Sequence, residues 1–146
     1  MEPLNNVQLG YLEQVRRSYQ ANPTQDFYKL TAFMGADVRL VFEWLKDYPE
    51  HRDYFRSRIM TSRNACLWGI HYHDHDAAFL VHEEEDVLKW LKVFPEDANT
   101  KHRYIRSSQG AFEYAKMFPD FRHLVSRKVT DSYWIDQWLS HFKEDL

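Results

Sequence analysis

A ten-residue string centred on tryptophan and closing on proline recurs along the chain, and few folds accommodate such a pattern. Residues 41–50 run from Val41 through Trp44 and Leu45 to Tyr48-Pro49-Glu50, and residues 87–96 run from Val87 through Trp90 and Leu91 to Phe94-Pro95-Glu96. Ala32-Phe33-Met34 and Ala78-Phe79-Leu80 are related by the same offset of 46 residues. Further copies follow at steps of 24 residues, one carrying Tyr114 and Phe118-Pro119-Asp120, the next Trp138 and Phe142-Lys143-Glu144. A weaker copy at 65–74 carries Trp68 and Tyr72-His73-Asp74 and fills the wide gap between the first two. The proline-equivalent positions are then 23, 49, 73, 95, 119 and 143, a period close to 24. Fixed internal periods of this order belong to repeat architectures, in which one unit cannot bury its apolar face alone and neighbours must stack upon it.

Each unit reads as two short antiparallel helices. Val87, Leu88, Trp90, Leu91 and Phe94 follow helical spacing, not the alternation of a strand. The residue before proline is pushed out of the α region, so this helix stops near Phe94. Pro95 suits the first turn of the next helix, where Glu96 and Asp97 meet the positive end of the dipole. The second helix carries Tyr54, Phe55 and Ile59 in one copy and Leu124, Val125 and Val129 in another. Thr61-Ser62, Ser107-Ser108 and Thr130-Asp131-Ser132 are N-cap types for the helix that follows. Ahead of the repeats, Leu4, Tyr11, Leu12, Val15 and Tyr19 predict a longer amphipathic helix ending near Asn22-Pro23, then a second from about Thr24 through Phe27, Leu30 and Phe33.

The expected fold is all-α: stacked antiparallel helix pairs from a degenerate repeat of about 24 residues, forming a compact helical bundle or a short α-solenoid. The expected organisation is a single all-helical repeat domain over 1–146, with an N-terminal helix pair in 1–36 and repeat units in 37–146. Only 4 Gly and 5 Pro are present, too few for a turn-rich β-sandwich or barrel. An aromatic content of 16% separates the chain from disordered sequences.

Composition also bears on function. A net charge of −3 and a pI near 6.2 argue against a general nucleic-acid binder, whose footprint is strongly basic. Cys66 is the only cysteine, so no intramolecular disulfide or four-cysteine zinc site can form, which suits a reducing compartment. The stretch Met1-Glu2-Pro3-Leu4 lacks the basic and apolar segments of a signal peptide. No apolar run approaches the roughly 20 residues of a membrane helix. The expectation is a soluble, cytoplasmic protein.

Three groups of residues stand out. His71, His73 and His75 alternate with Tyr72 and Asp74, near His82 and Glu83 to Glu85. Imidazoles and carboxylates are donor types for zinc, nickel or non-haem iron. The repeat alignment instead puts His73 at an interhelix turn, with Asp74 or Asp76 as a helix cap, and no HExxH string is present. The second group is basic: Arg52, Arg56, Arg58 and Arg63; then Lys101, Arg103 and Arg106; then Arg122, Arg127 and Lys128. Stacked units would align these as a positive ridge for an acidic partner. The other reading is a solvated face with mixed ion pairs. Asp74, Asp76 and the apolar run 77–81 interrupt the ridge, dividing it into a patch around Arg52, Arg56 and Arg58 and one around Arg103, Arg106, Arg122 and Arg127. The third group is Tyr133 and Trp134, which fall outside the repeat and are candidate interface anchors or parts of a terminal cap. Cys66 aligns with Phe42, Leu88 and Phe112, so it reads as a buried thiol. Phosphate-loop, nucleophile-elbow and kinase strings do not occur.

The leading expectation is a non-enzymatic protein-binding module (an adaptor, an inhibitor or immunity-type protein, or an effector) with no cofactor and a protein partner, an acidic one if the basic ridge is the docking face. The first alternative is a metal-binding protein or metalloenzyme centred on His71, His73 and His75, holding a transition metal such as zinc. The second is a nucleic-acid-associated protein that uses the basic second helices.

Overall fold

Every regular element among the described residues is helical, as the 3.6-residue spacing of the apolar positions requires. The computed structural model describes residues 1–23, 27–32, 34–143 and 146. The chain divides into two compact units, Met1–Met60 and Thr61–Leu146.

In the first unit, α1 spans Asn6–Ala21 and opens with a capping box: Asn5 and Gln8 exchange side-chain-to-backbone hydrogen bonds, both 2.9 Å long. Leu12 and Val15 form its buried stripe. It ends at Asn22, whose N–H donates to Ser18 O, just before Pro23. The short helix α2 covers Phe27–Thr31; Thr24 and Phe33, the expected bounds of this segment, lie outside the described residues. Helix α3, Val38–Asp47, is capped by Asp37 and buries Val38, Leu40, Val41, Phe42, Trp44 and Leu45. Tyr48 ends it, and Pro49 starts a 3-10 turn, Pro49–His51, that leads into α4, Arg52–Arg56. The core is strongly aromatic. The Phe27 ring lies 4.3 Å from His51, 4.9 Å from Tyr54 and 5.9 Å from Phe55.

The second unit holds α5 (Ser62–Tyr72), α6 (Glu84–Val93), α7 (Ala98–Lys101), α8 (Ser108–Met117) and α9 (Ser132–Phe142). Side-chain caps on Thr61, Ser107 and Asp131 start α5, α8 and α9, at the positions where sequence placed capping residues. How each helix ends depends on one residue. Where proline follows, at Pro49, Pro95 and Pro119, the helix stops two residues earlier and Tyr48, Phe94 or Phe118 leaves the α region. Where His73 or Lys143 stands in that place, the helix runs one residue further and ends in the left-handed conformation, with φ of 51° and 53°. Proline could not adopt that φ.

The tryptophan-place aromatics are buried in each unit, Trp44 in the first and the other four in the second. Trp44, Trp68, Trp90 and Tyr114 are 0% exposed and Trp138 is 1% exposed. Each pairs with the aromatic four residues on, at centroid distances from 4.4 Å for Trp90–Phe94 to 5.2 Å for Tyr114–Phe118. Cys66 is buried and donates to Asp86 O.

Successive helices of this unit are joined at their starts. The Ser62 hydroxyl, on the first residue of α5, accepts from the N–H groups of His82 and Glu83 just before α6. The Glu84 carboxylate, on the first residue of α6, accepts from the N–H groups of Arg106 and Ser107 just before α8. The Ser108 hydroxyl, on the first residue of α8, accepts from Thr130 and Asp131 just before α9. Unpaired N–H groups at a helix entrance are thereby satisfied by the preceding helix.

The return segments differ from expectation. They were expected as second α-helices, but consist mainly of 3-10 turns, His75–Leu80, Pro95–Asp97, His102–Tyr104, Pro119–Leu124 and Ser126–Lys128, with α7 a single turn. Pro95 and Pro119 open two of these turns, and over stretches this short the tighter 3-10 winding forms readily.

Candidate partner-binding surface

Two lysines from the return segments set the geometry of the basic residues. Lys101 is 7% exposed, and its ammonium donates to Ala78 O at 2.7 Å and Val81 O at 2.8 Å, closing the C-terminal end of the 75–80 turn. Burial pulls its pKa below the ordinary lysine value. Lys128 likewise donates to His102 O at 2.7 Å, which ties the 126–128 turn to the 102–104 turn. Burial first, then the positive charges of Lys128 and Arg103, hold the His102 imidazole below its usual pKa.

Arg103 is exposed, donates through Nε to Thr100 O, and its guanidinium carbon lies 5.5 Å from the Tyr104 ring centroid. It shares a cleft of about 290 Å³ with Lys101, Tyr104 and Phe79, and Phe79 is 74% exposed, unusually open for a phenylalanine. Asp97 also lines the cleft. Its carboxylate accepts the Trp90 indole N–H at 2.8 Å and lies 2.8 Å from His75 Nε2, so its charge is engaged from two sides.

The other candidate residues are distributed as follows. Arg122 donates to Pro119 O and lies over the Phe142 ring, while Arg106 and Arg127 are exposed. In the first unit, Arg52 and Arg58 are exposed, Arg56 is half-buried, and Arg58 lies over Tyr54 at 4.8 Å. Tyr133 is 58% exposed, whereas Trp134 is half-buried with its ring 5.7 Å from Phe112. Of the two, Tyr133 is the more accessible.

The three histidines make separate contacts. His71 sits at the end of α5 beside Tyr72, the His73 ring stacks on Phe94 at 4.8 Å, and His75 contacts Asp97. Asp74 is the cap expected of this turn and also accepts the Trp68 indole N–H at 3.0 Å. The described residues hold no group of three or more His, Cys, Asp or Glu side chains that could hold a metal ion. Burial pushes the Cys66 thiol up to about 12, so it is protonated at neutral pH and a poor nucleophile.

Sequence reasoning missed His102, His123 and Phe79 as surface-forming residues. Lys101 and Lys128 had been grouped with the ridge by charge, but their ammonium groups are bonded to backbone carbonyls. Phe79 did carry a signal: it belongs to the short Ala-Phe pair shared with Ala32-Phe33, yet its neighbours in 77–81 read as one apolar run. No helix among the described residues is long and apolar enough to cross a membrane. Comparison with family models, curated proteins and solved structures found no match.

Proposed function

We propose that this chain is a non-enzymatic protein-binding module that docks an acidic partner on the cationic face of its second unit. The observation that carries this reading is the cleft whose wall includes Phe79, 74% exposed, and the exposed Arg103. An exposed aromatic beside an exposed guanidinium has the composition of an interface anchor: the ring supplies apolar area, and the cation steers and orients an acidic surface. Arg106, Arg122 and Arg127 extend the positive charge of the same unit, and Tyr133 supplies a second exposed aromatic. The reading also takes the chain to be a degenerate repeat of about 24 residues, stacked as a short α-solenoid. The hydrogen bonds from Ser62, Glu84 and Ser108 to the next helix entrance support that arrangement, because equivalent positions make equivalent joints.

Partner recovery from the native host, followed by binding measurements on the purified pair, tests this. Phe79→Ala and the double reversal Arg103→Glu with Arg127→Glu should each weaken the pair at least tenfold while the helical circular-dichroism spectrum stays unchanged. Affinities within twofold of the original for both variants would remove this surface from consideration. Tighter binding of duplex DNA or RNA than of any protein, with a steep salt dependence, would favour the nucleic-acid reading. One tightly held zinc, nickel or iron per chain, lost on His73→Ala, would favour the metal reading.

A further inference from the structure

One imidazole stands where the second unit uses carboxylates. Trp44, Trp68 and Trp90 hold the same place in α3, α5 and α6, and each donates its indole N–H to a side chain six or seven residues on. The acceptor is Asp74 Oδ2 at 3.0 Å for Trp68 and Asp97 Oδ2 at 2.8 Å for Trp90, but His51 Nδ1 at 3.0 Å for Trp44. Acid acts on these acceptors differently. A carboxyl group keeps a carbonyl oxygen even when protonated, whereas an imidazole that takes up a second proton has no acceptor left.

His51 is set among groups from three helices of the first unit. The Tyr19 hydroxyl of α1 lies 3.5 Å from its Nε2, the Phe27 ring of α2 lies 4.3 Å from its ring, and Trp44 and Tyr48 of α3 stack on it. Phe27 in turn touches Tyr54 and Phe55 of α4. Because Nδ1 accepts, the neutral ring carries its proton on Nε2, and a second proton can go only to the nitrogen that holds the indole. Tyr19 and Tyr48 are the titratable side chains in ring contact with it, and Glu50, on its own turn, is the charge that acts on it among the described residues. Burial lowers the His51 pKa and Glu50 partly offsets this, so the ring gains its proton below about pH 6.5.

We propose that His51 is an acid-sensitive latch: its protonation releases the Trp44 indole and opens the first unit locally, while the tryptophans held by Asp74 and Asp97 in the second unit stay bonded. The side uncovered is aromatic, formed by Phe27, Trp44 and Phe55. His102 of the second unit is also shifted down, but its Nδ1 holds no partner, so its protonation breaks no such bond. The latch is independent of the Phe79 and Arg103 cleft, and its test needs no partner.

Indole N–H cross-peaks of the full chain, followed in proton–nitrogen correlation spectra from about pH 7.5 to 5, read the latch. In the natural chain the Trp44 cross-peak should leave its bonded, downfield position with a midpoint below about pH 6.5, while those of Trp68 and Trp90 stay downfield. His51→Asp, which installs the acceptor found seven residues after Trp90, should hold the Trp44 cross-peak downfield throughout. His51→Gln should do the same and serves if the aspartate variant fails to fold. A Trp44 cross-peak that stays put in the natural chain, or that titrates alike in the folded variant, overturns the proposal. Simultaneous collapse of the Trp44, Trp68 and Trp90 cross-peaks overturns it too, because that reports global unfolding and no latch.

Discussion

The Trp90 indole N–H donates to Asp97 Oδ2 across 2.8 Å, and so fastens the end of α6 to the turn that follows it. The bond spans seven residues and crosses the break at Phe94-Pro95, where backbone pairing is interrupted. His75 Nε2 lies 2.8 Å from the same oxygen, so one carboxylate joins the 75–80 turn, the 95–97 turn and the core tryptophan. Replacing Asp97 by alanine strands a buried donor. Asp97→Ala should lower stability by about 1–3 kcal/mol in urea unfolding, and Asp97→Asn, which keeps an acceptor oxygen, by less. Equal losses for the two would show that the indole bond contributes nothing.

Fully buried tryptophans predict large effects. Trp44→Ala and Trp90→Ala should each destabilise by roughly 3–5 kcal/mol, because each removes a large ring and leaves a cavity. The midpoint of chemical unfolding checks this, and losses under about 1 kcal/mol for both would place the rings outside the working core.

Gly69 owes its identity to Trp90. A Cβ on Gly69 would collide with the Trp90 ring, against which α5 packs. Gly69→Ala should therefore destabilise by about 1–3 kcal/mol, through overpacking, although alanine is the better helix former. A gain in thermal midpoint would show that the ring can shift freely.

Acid should weaken the fold before carboxylates titrate. His51 Nδ1 accepts the Trp44 N–H at 3.0 Å, which requires the nitrogen to be unprotonated. Burial holds the His51 pKa below its ordinary value, partly opposed by Glu50, and His102 is shifted the same way. With the folded pKa depressed, the unfolded chain binds more protons in this range. Stability is thus complete above the unfolded value near 6.5 and declines as pH falls through the window below it. The thermal midpoint should drop between about pH 7.5 and 5.5, and His51→Gln, which offers an uncharged acceptor, should drop less. A midpoint that rises on acidification would contradict the assignment.

Much of this architecture was legible from residue order. Helix ends at Asn22, Tyr48, His73, Phe94 and Phe118 follow from proline and its substitutes, since those constraints act within two residues. The burial of Trp44, Trp68, Trp90, Tyr114 and Trp138 follows from their shared place. What could not be read were contacts between segments. That Ser62, Glu84 and Ser108 reach the next helix entrance depends on packing, and nothing local separates Ser62 from a plain cap-adjacent serine. The same holds for charge: Lys101 and Arg103 stand two residues apart, yet the first is buried against carbonyls and the second is exposed. A 3-10 turn such as Pro119–Leu124 also leaves a weaker periodic trace than an α-helix.

The role of the cationic face is tested most directly by the salt dependence of affinity for the partner recovered from the native host, measured with the natural chain and with Arg103→Glu/Arg127→Glu. Docking through this face predicts that affinity for the natural chain falls steadily as salt rises, because exposed charges are screened within about 10 Å at 0.1 M. The double reversal should bind at least tenfold more weakly at low salt and lose most of that slope, mainly through slower association. Parallel salt slopes and equal affinities for the two chains would contradict the account.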